Sequence, residues 1–453
     1  MPNYPTIAVL SRHRHPRLRY VLKELGCDLG WHFRLMTDFD RWKSLPAEGK
    51  VSYGEGPEGV STCNWPSHSF MCGSNVVTAD LEVSYLNGLP CFFDTPDGHD
   101  LLAMMFYQLA RCEEYEPFGT DAHGRFPASE SHAQRNGYLL RPVVREWAAT
   151  LASGLRAVFP DLSAPKHHRF RFVPTYDIDL LWAWKYRGWR GAASALRDLL
   201  TGHPRRAGQR LFGSGKRDPY DTLAFLEALH KDAGNDGHPS ADPIYFWLLA
   251  NNDDRRDPNP FPVPEEQRET IRRQAGRHTI GIHPSYLSSE RPELIAREAE
   301  RLRDITGKTV LHSRQHFLRF RLPDTYRALR NAGITHDYSM GYADAVGWRA
   351  GTNLPFMWYD LEKETATGLT IHPFAAMDVT LKNYLGQQPE AAKVKVTGLA
   401  GSVRPYGGPF MLLWHNSSFD AAYGWEGWRR MYGELVKMLT ACQKPFTEDR
   451  TDR

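Results

Sequence analysis

In the first third of the chain, apolar positions recur at helical spacing. Within residues 17–26 (RLRYVLKELG), Leu18, Val21, Leu22 and Leu25 share one face, and Gly26 reads as a stop. Residues 99–114 and 141–159 repeat the pattern, the second with Pro142 in its first turn. Residues 54–74, rich in Gly, Pro, Ser and Asn, predict loop. The short polar stretch 160–166 predicts a boundary, which divides the chain into 1–165 and 166–453.

Past that boundary, β-branched and aromatic runs alternate with helical stretches. Strands are predicted at 170–176, 243–250, 279–282, 309–313, 334–337, 369–371 and 410–414. Helices are predicted near 219–232, 264–277, 289–306, 323–332 and 425–441. This alternation implies βαβ units and a mostly parallel sheet. About seven strands fit a distorted (β/α) barrel better than a short open sheet. The fold class expected is therefore α/β, with a smaller α/β N-terminal domain.

Polar residues follow each predicted strand. The first runs into Asp177-Ile178-Asp179, the third into His283-Pro284-Ser285-Tyr286, and the fourth into Arg314-Gln315-His316. The others end at Asn251–Asp254, His336-Asp337, His372 and His415-Asn416. In a parallel barrel these ends converge on one face, and so many acids and imidazoles there mark an active site. Side chains alternate along a strand, so Asp177 and Asp179 point the same way. Two such carboxylates need a cation close by to remain ionised. With His283 and His316 in reach, that cation is a divalent metal. Mixed carboxylate and imidazole ligation suits Zn²⁺, with Co, Ni or Fe as alternatives. Three protein ligands leave room for a water, as catalytic sites require.

Composition narrows the picture. Lys and Arg number 56 against 53 Asp and Glu, a net charge of +3 that argues against nucleic acid or anionic lipid as a partner. No apolar run approaches the ~20 residues of a membrane span. The apolar piece 6–10 precedes Arg12, Arg14 and Arg17, the reverse of a signal-peptide order, so a soluble, cytoplasmic, bacterial-type protein is expected. That arginine cluster, with Arg19, His13 and His15, reads as a solvated helix start. The six cysteines form no C-x-x-C and read as buried, reduced thiols. Residues 212–217 (FGSGKR) lack the P-loop frame. Trp182, Trp184 and Tyr186, just after the aspartate pair, are placed to line a sugar site.

In order along the chain, these residues resemble the motifs of the polysaccharide deacetylase superfamily, carbohydrate esterase family four. Thr175-Tyr176-Asp177-Ile178-Asp179 is similar to its T-F-D-D-G motif and Gly281–Ser285 to its histidine motif. Ser313–Phe317 stands at the arginine motif. Asp337 with Gly347–Gly351 resembles the fourth motif, and Leu412–His415 the last. The resemblance covers about 170–440, with 1–165 as an added domain of which Glu113-Glu114-Tyr115 with 121–126 looks typical; Glu113-Glu114-Tyr115 reads as a structural contact with the barrel or a surface face, with substrate binding as the alternative. It implies a barrel that hydrolyses acyl groups, N-acetyl above all, on sugars or polysaccharides through metal-activated water. It further implies Asp177 as general base, Asp179 and His283 as metal ligands, Arg314 orienting the base, and His415 as general acid. Asp337 joins the catalytic set, and Trp182, Tyr286, Trp348, Arg349 and His372 the substrate-binding set.

The chain departs from the family in two places. Ile178 separates aspartates that the family has adjacent, so base and ligand are exchangeable. Leu287 stands where the family has its second histidine, so the third ligand is assigned to His316, with His372 and Asp337 as rivals. Other readings are a silent barrel that binds a glycan or protein, and a hydrolase of non-sugar C–N bonds.

Overall fold

The structure, a computed structural model, describes residues 4–443 apart from 13, 55, 57–62, 74–80, 187, 203, 205, 206, 209–217 and 235–240. The 212–217 loop, His13 and the tail 444–453 lie outside the described residues.

The first part holds a parallel sheet of β1 (Thr6–Ser11), β2 (His32–Met36), β3 (Gly49–Tyr53) and β4 (Cys63–Trp65) in the order β2-β1-β3-β4. Two hairpins follow: β5 (Ser84–Leu86) with β6 (Leu89–Cys91), and β7 (Asp94–Thr95) with β8 (Gly98–His99). The helix predicted to stop at Gly26 continues as Pro16–Leu29 and closes at Gly30, whose φ is +67°. Gly26 is there for close approach instead: a Cβ on it would lie 2.7 Å from the Trp31 carbonyl. The cluster at its start is not wholly solvated. Arg17 is buried, its guanidinium bound to the Glu364 carboxylate and, at 2.7 Å, to the Phe70 carbonyl.

The second part is built on nine strands: β9 (Arg171–Ile178), β10 (Ile244–Trp247), β11 (Thr279–Ile282), β12 (His312–Ser313), β13 (His336–Asp337), β14 (Phe356–Asp360), β15 (Thr365–Ile371), β16 (Ala376–Met377) and β17 (Pro409–His415). Their order is β14-β15-β13-β12-β11-β10-β9-β17-β16, and every pair is parallel except β14–β15. Among the described residues β14 and β16 remain edges, so a closed barrel is not shown. The architecture is mixed α/β on one large, mostly parallel sheet. Strands β14 and β16 and the helix Pro389–Val403 had no sequence signal. The helix is PEAAKVKVTGLAGSV, whose small residues and glycines blur its apolar stripe.

One apolar cluster runs through both parts. Phe106, on the helix Leu101–Ala110, meets Tyr359 of β14 edge-on at 5.0 Å, and Tyr20 Oη donates to the Met357 carbonyl at 2.8 Å. A second cluster, including Val173, Phe246, Tyr338, Phe374 and Met411, lies apart from the first. All six cysteines are unpaired, but Cys27 and Cys72 are exposed rather than buried. Among the described residues no helix is long and apolar enough to cross a membrane.

Candidate metal centre

β9 carries Asp177 within the strand, and Asp179 lies just beyond its end. Register pairs Asp177 with His415 of β17 on one side and Phe246 of β10 on the other. His283 follows β11, its N–H donating to the Trp247 carbonyl at 2.9 Å. His316 follows β12, its N–H donating to the Pro284 carbonyl at 3.1 Å. Four separated pieces of sequence thus meet at one end of adjoining strands.

The innermost group is Asp179, His283 and His316. Asp179 Oδ1 lies 3.3 Å from His283 Nε2, and Oδ2 lies 3.7 Å from His316 Nε2. One ligand atom from each falls within 4.8 Å of the other two. Both imidazoles are held from behind. His283 Nδ1 donates to the Arg314 carbonyl at 2.5 Å, and His316 Nδ1 to Asp257 Oδ1 at 2.9 Å. Carbonyl and carboxylate oxygens only accept, so each Nδ1 carries a proton and each Nε2 is left for the centre. Asp179 Oδ1 is buried without a hydrogen bond. A lone buried carboxylate oxygen facing two imidazole nitrogens fits a divalent cation of the zinc type.

Asp177 and His415 flank the trio. Asp177 is buried; its Oδ1 accepts from Arg314 Nη1 at 3.0 Å, and its Oδ2 lies 3.6 Å from His283 Nε2. His415 places Nε2 3.9 Å from Asp179 Oδ2, while its Nδ1 donates to Asp378 Oδ1 at 2.8 Å. Burial disfavours charge on His415, but Asp378, and then Asp179 and Asp177, overcome it and push the imidazole up to about 10. Burial likewise opposes charge on His316, and Asp179 with Asp257 pushes it up to about 9. Burial would raise Asp179, yet His316, His283 and His415 hold it well below the usual carboxylate range.

The other expected residues stand elsewhere. Asp337 is fully buried and accepts from the Ser339 N–H and Oγ at 2.9 and 3.0 Å; burial pushes it up to about 6. It shapes the turn whose Ser339 Oγ accepts from the Gln315 N–H, and does not join the trio. Trp348 is buried, edge-on to Phe410 at 6.1 Å, and its backbone N–H donates to the Leu139 carbonyl. Arg349 is buried in a two-pronged bond to Glu114, at 2.9 and 2.6 Å. The segment after β13 turns onto the N-terminal part, so neither residue offers a face to substrate. Tyr286 is buried between the guanidinium groups of Arg256 and Arg319, 3.5 and 4.4 Å from its ring centre. Trp182 is buried beneath Lys185, whereas Trp184 is only partly covered and Tyr186 is half exposed.

His372 stacks on Tyr338 at 4.3 Å and meets His336 Nδ1 at 3.0 Å. Burial, and then His336, pulls it down to about 3; burial pulls His312 and His230 down to about 4. Unfolded, each imidazole takes a proton near pH 6.5. The stability these groups contribute is therefore complete above pH 6.5 and is lost as pH falls toward 4. The loss approaches about 1.4 kcal/mol per pH unit for each proton. His372→Gln is expected to lose less stability than the parent between pH 7 and pH 5 in urea titrations; equal losses would refute this.

Asp257 and Asp378 were not anticipated. Asp257 sits in what reads as an irregular polar loop, and Asp378 follows β16, a two-residue strand without a pattern of its own.

Residues 7–160 match the model of a family of unknown function (DUF7033). No curated protein matches the chain. Among solved structures the chain is similar to a candidate polysaccharide deacetylase from Mycobacterium smegmatis, with 14% identity, a TM-score of 0.38, and coverage of 62% of this chain and 86% of that one. It is also similar to IcaB from Ammonifex degensii, with 16% identity, a TM-score of 0.22, and coverage of 39% and 86%.

Proposed function

We propose that the protein is a metal-dependent hydrolase that removes an acyl group, in the first place N-acetyl, from a sugar or polysaccharide. The observation that carries this is the convergence of Asp179, His283 and His316, with Asp177 and His415 beside them. In this reading the sheet is a distorted (β/α) barrel, and the strand ends holding these residues form its catalytic face.

Asp179, His283 and His316 would hold the cation, Zn²⁺ first, with Co, Ni and Fe as alternatives. When bound, it polarises the acyl carbonyl and acidifies a water. Asp177 Oδ2 is placed to accept a proton as general base, while Arg314 fixes Oδ1 and keeps the carboxylate aligned. Asp378 accepts from His415 Nδ1, and with Asp179 and Asp177 it raises the imidazole to about 10, so the ring carries a second proton on Nε2 that it delivers to the leaving nitrogen. Asp179 lies closer than Asp177 to His283 and is also in reach of His316, which supports Asp179 as ligand and Asp177 as base. The sugar rests on the motif resemblance and on the accessible rings of Trp184 and Tyr186 after β9.

The test is elemental analysis of purified protein combined with acetate release from N-acetyl sugars and from non-sugar amides. Wild-type protein is expected to carry a divalent ion and to release acetate from the sugars. His415→Ala is expected to keep the ion and lose about 10²–10⁴-fold in turnover. An ion-free, inactive wild-type protein after metal loading would refute the reading, and so would full turnover in His415→Ala. Release from the amides alone would move the substrate to non-sugar C–N bonds.

A further inference from the structure

His316 is carried by an unusual turn. The next two residues, Phe317 and Leu318, have φ of +59° and +54°, the left-handed region that non-glycine residues seldom occupy. Two such residues in succession persist only where neighbours hold them. Here part of the hold comes from the N-terminal part of the chain, about 190 residues upstream. Arg125 Nη1 donates to the Phe317 carbonyl at 2.7 Å, and Nη2 donates to Tyr384 Oη at 2.9 Å. Asp121 fixes the guanidinium from the other side, accepting from Arg125 Nε at 2.7 Å. The His123 ring lies 4.9 Å from Phe317, and its carbonyl accepts from Arg319 Nε at 2.8 Å. His123 Nδ1 also meets Tyr286 Oη at 3.1 Å, and the Tyr286 N–H donates to Asp257, the carboxylate that orients His316. Arg125 is itself buried, so this grip is part of the packed interior.

We infer that the N-terminal part completes the metal centre: residues 121–125 clamp the 316–319 turn, and Arg125 is the positioning residue that aims His316 Nε2 at the ion. The inference rests on the proposed metal-dependent reading and goes beyond it, because it gives the added domain a task at the site. Arg125 touches neither Asp179 nor His283 in any described contact; it acts through the backbone of Phe317.

Cobalt(II) is the probe, since its visible absorption reports ligand number and geometry directly. Full-length wild type, Arg125→Ala, Arg125→Lys and His316→Ala are titrated with Co²⁺, with Arg141→Ala as a control in the same domain. Arg125→Ala is expected to lose about 10–100-fold in Co²⁺ affinity, the range for groups that orient a ligand, and its spectrum should move toward that of His316→Ala. Methylguanidinium added to Arg125→Ala should restore the parent spectrum, which a general loss of stability would not allow. Arg125→Lys keeps the charge but cannot serve the Asp121, Phe317 and Tyr384 oxygens together, so its affinity should fall in the same direction; it provides the readout if the alanine variant does not fold. Arg141→Ala should bind as wild type. Unchanged affinity and spectrum in a folded Arg125 variant would overturn the clamp and leave the hydrolase reading standing. Failure of wild type itself to bind Co²⁺ would overturn the reading beneath it.

Discussion

His283→Ala is expected to lose the ion and the hydrolytic activity together. Among the described residues its Nε2 is one of three grouped ligand atoms, and it lies 3.3 Å from Asp179 Oδ1. Among the described residues no other imidazole joins the group; His415 Nε2 stays 3.9 Å from Asp179 Oδ2. Affinity should fall beyond the roughly 100-fold upper range seen when an outer-shell partner is removed. Metal per chain after gel filtration and the rate of acyl release measure both effects. The contrast with His415→Ala is the informative part: one variant loses the ion, and the other loses turnover while keeping it. Full metal content with full activity in His283→Ala would move the site elsewhere.

Arg349→Ala is expected to cost roughly 3–5 kcal/mol of stability, the range for removing one partner of a buried ion pair. Arg349 and Glu114 are both buried and bonded through two nitrogens and two oxygens, at 2.9 and 2.6 Å. Arg111 Nε also bonds Glu114 at 2.7 Å, which draws the effect toward the lower end. Burial favours the neutral acid, yet Arg349 and Arg111 hold Glu114 below the ordinary carboxylate range. Its stabilising share is therefore present above an unfolded value near 4.3 and lost as pH falls through the lower folded one. Urea unfolding at neutral pH measures the change, and a loss under about 1 kcal/mol would show that the pair contributes little. Since Arg349 faces Glu114 and not a substrate, the loss should appear in stability before it appears in KM.

The trio was legible because its chemistry is local to strand ends. An apolar run followed by Asp, His or Arg marks both the strand and the face where its last side chain emerges. That logic singled out Asp179, His283, His316, Asp177, Arg314 and His415 without any knowledge of pairing, and the structure brings them together. The same logic did not bring His372 to the trio, nor did the motif resemblance bring Trp348 and Arg349 there. Their loops fold back against the N-terminal part or along Tyr338, and only long-range packing decides that course. Asp257 and Asp378 escaped for a related reason: each is defined by the imidazole it supports, a contact spanning 59 residues in one case and 37 in the other. Seven of the nine strands were legible from their apolar runs, including β12 and β13, which span only two residues each. The edges β14 and β16 were not, since neither is separated by a helix from the strand before it and so neither fits the strand–helix alternation.

The shared apolar interior has a consequence during synthesis. Arg17 emerges from the ribosome 347 residues before Glu364, and the helix face around it waits as long for β14 and β15. Until then a nascent chain of most of its final length carries uncovered greasy surface and an unmatched cation, the condition that recruits chaperones and invites aggregation. Truncation anywhere before residue 371 leaves that face uncovered for good.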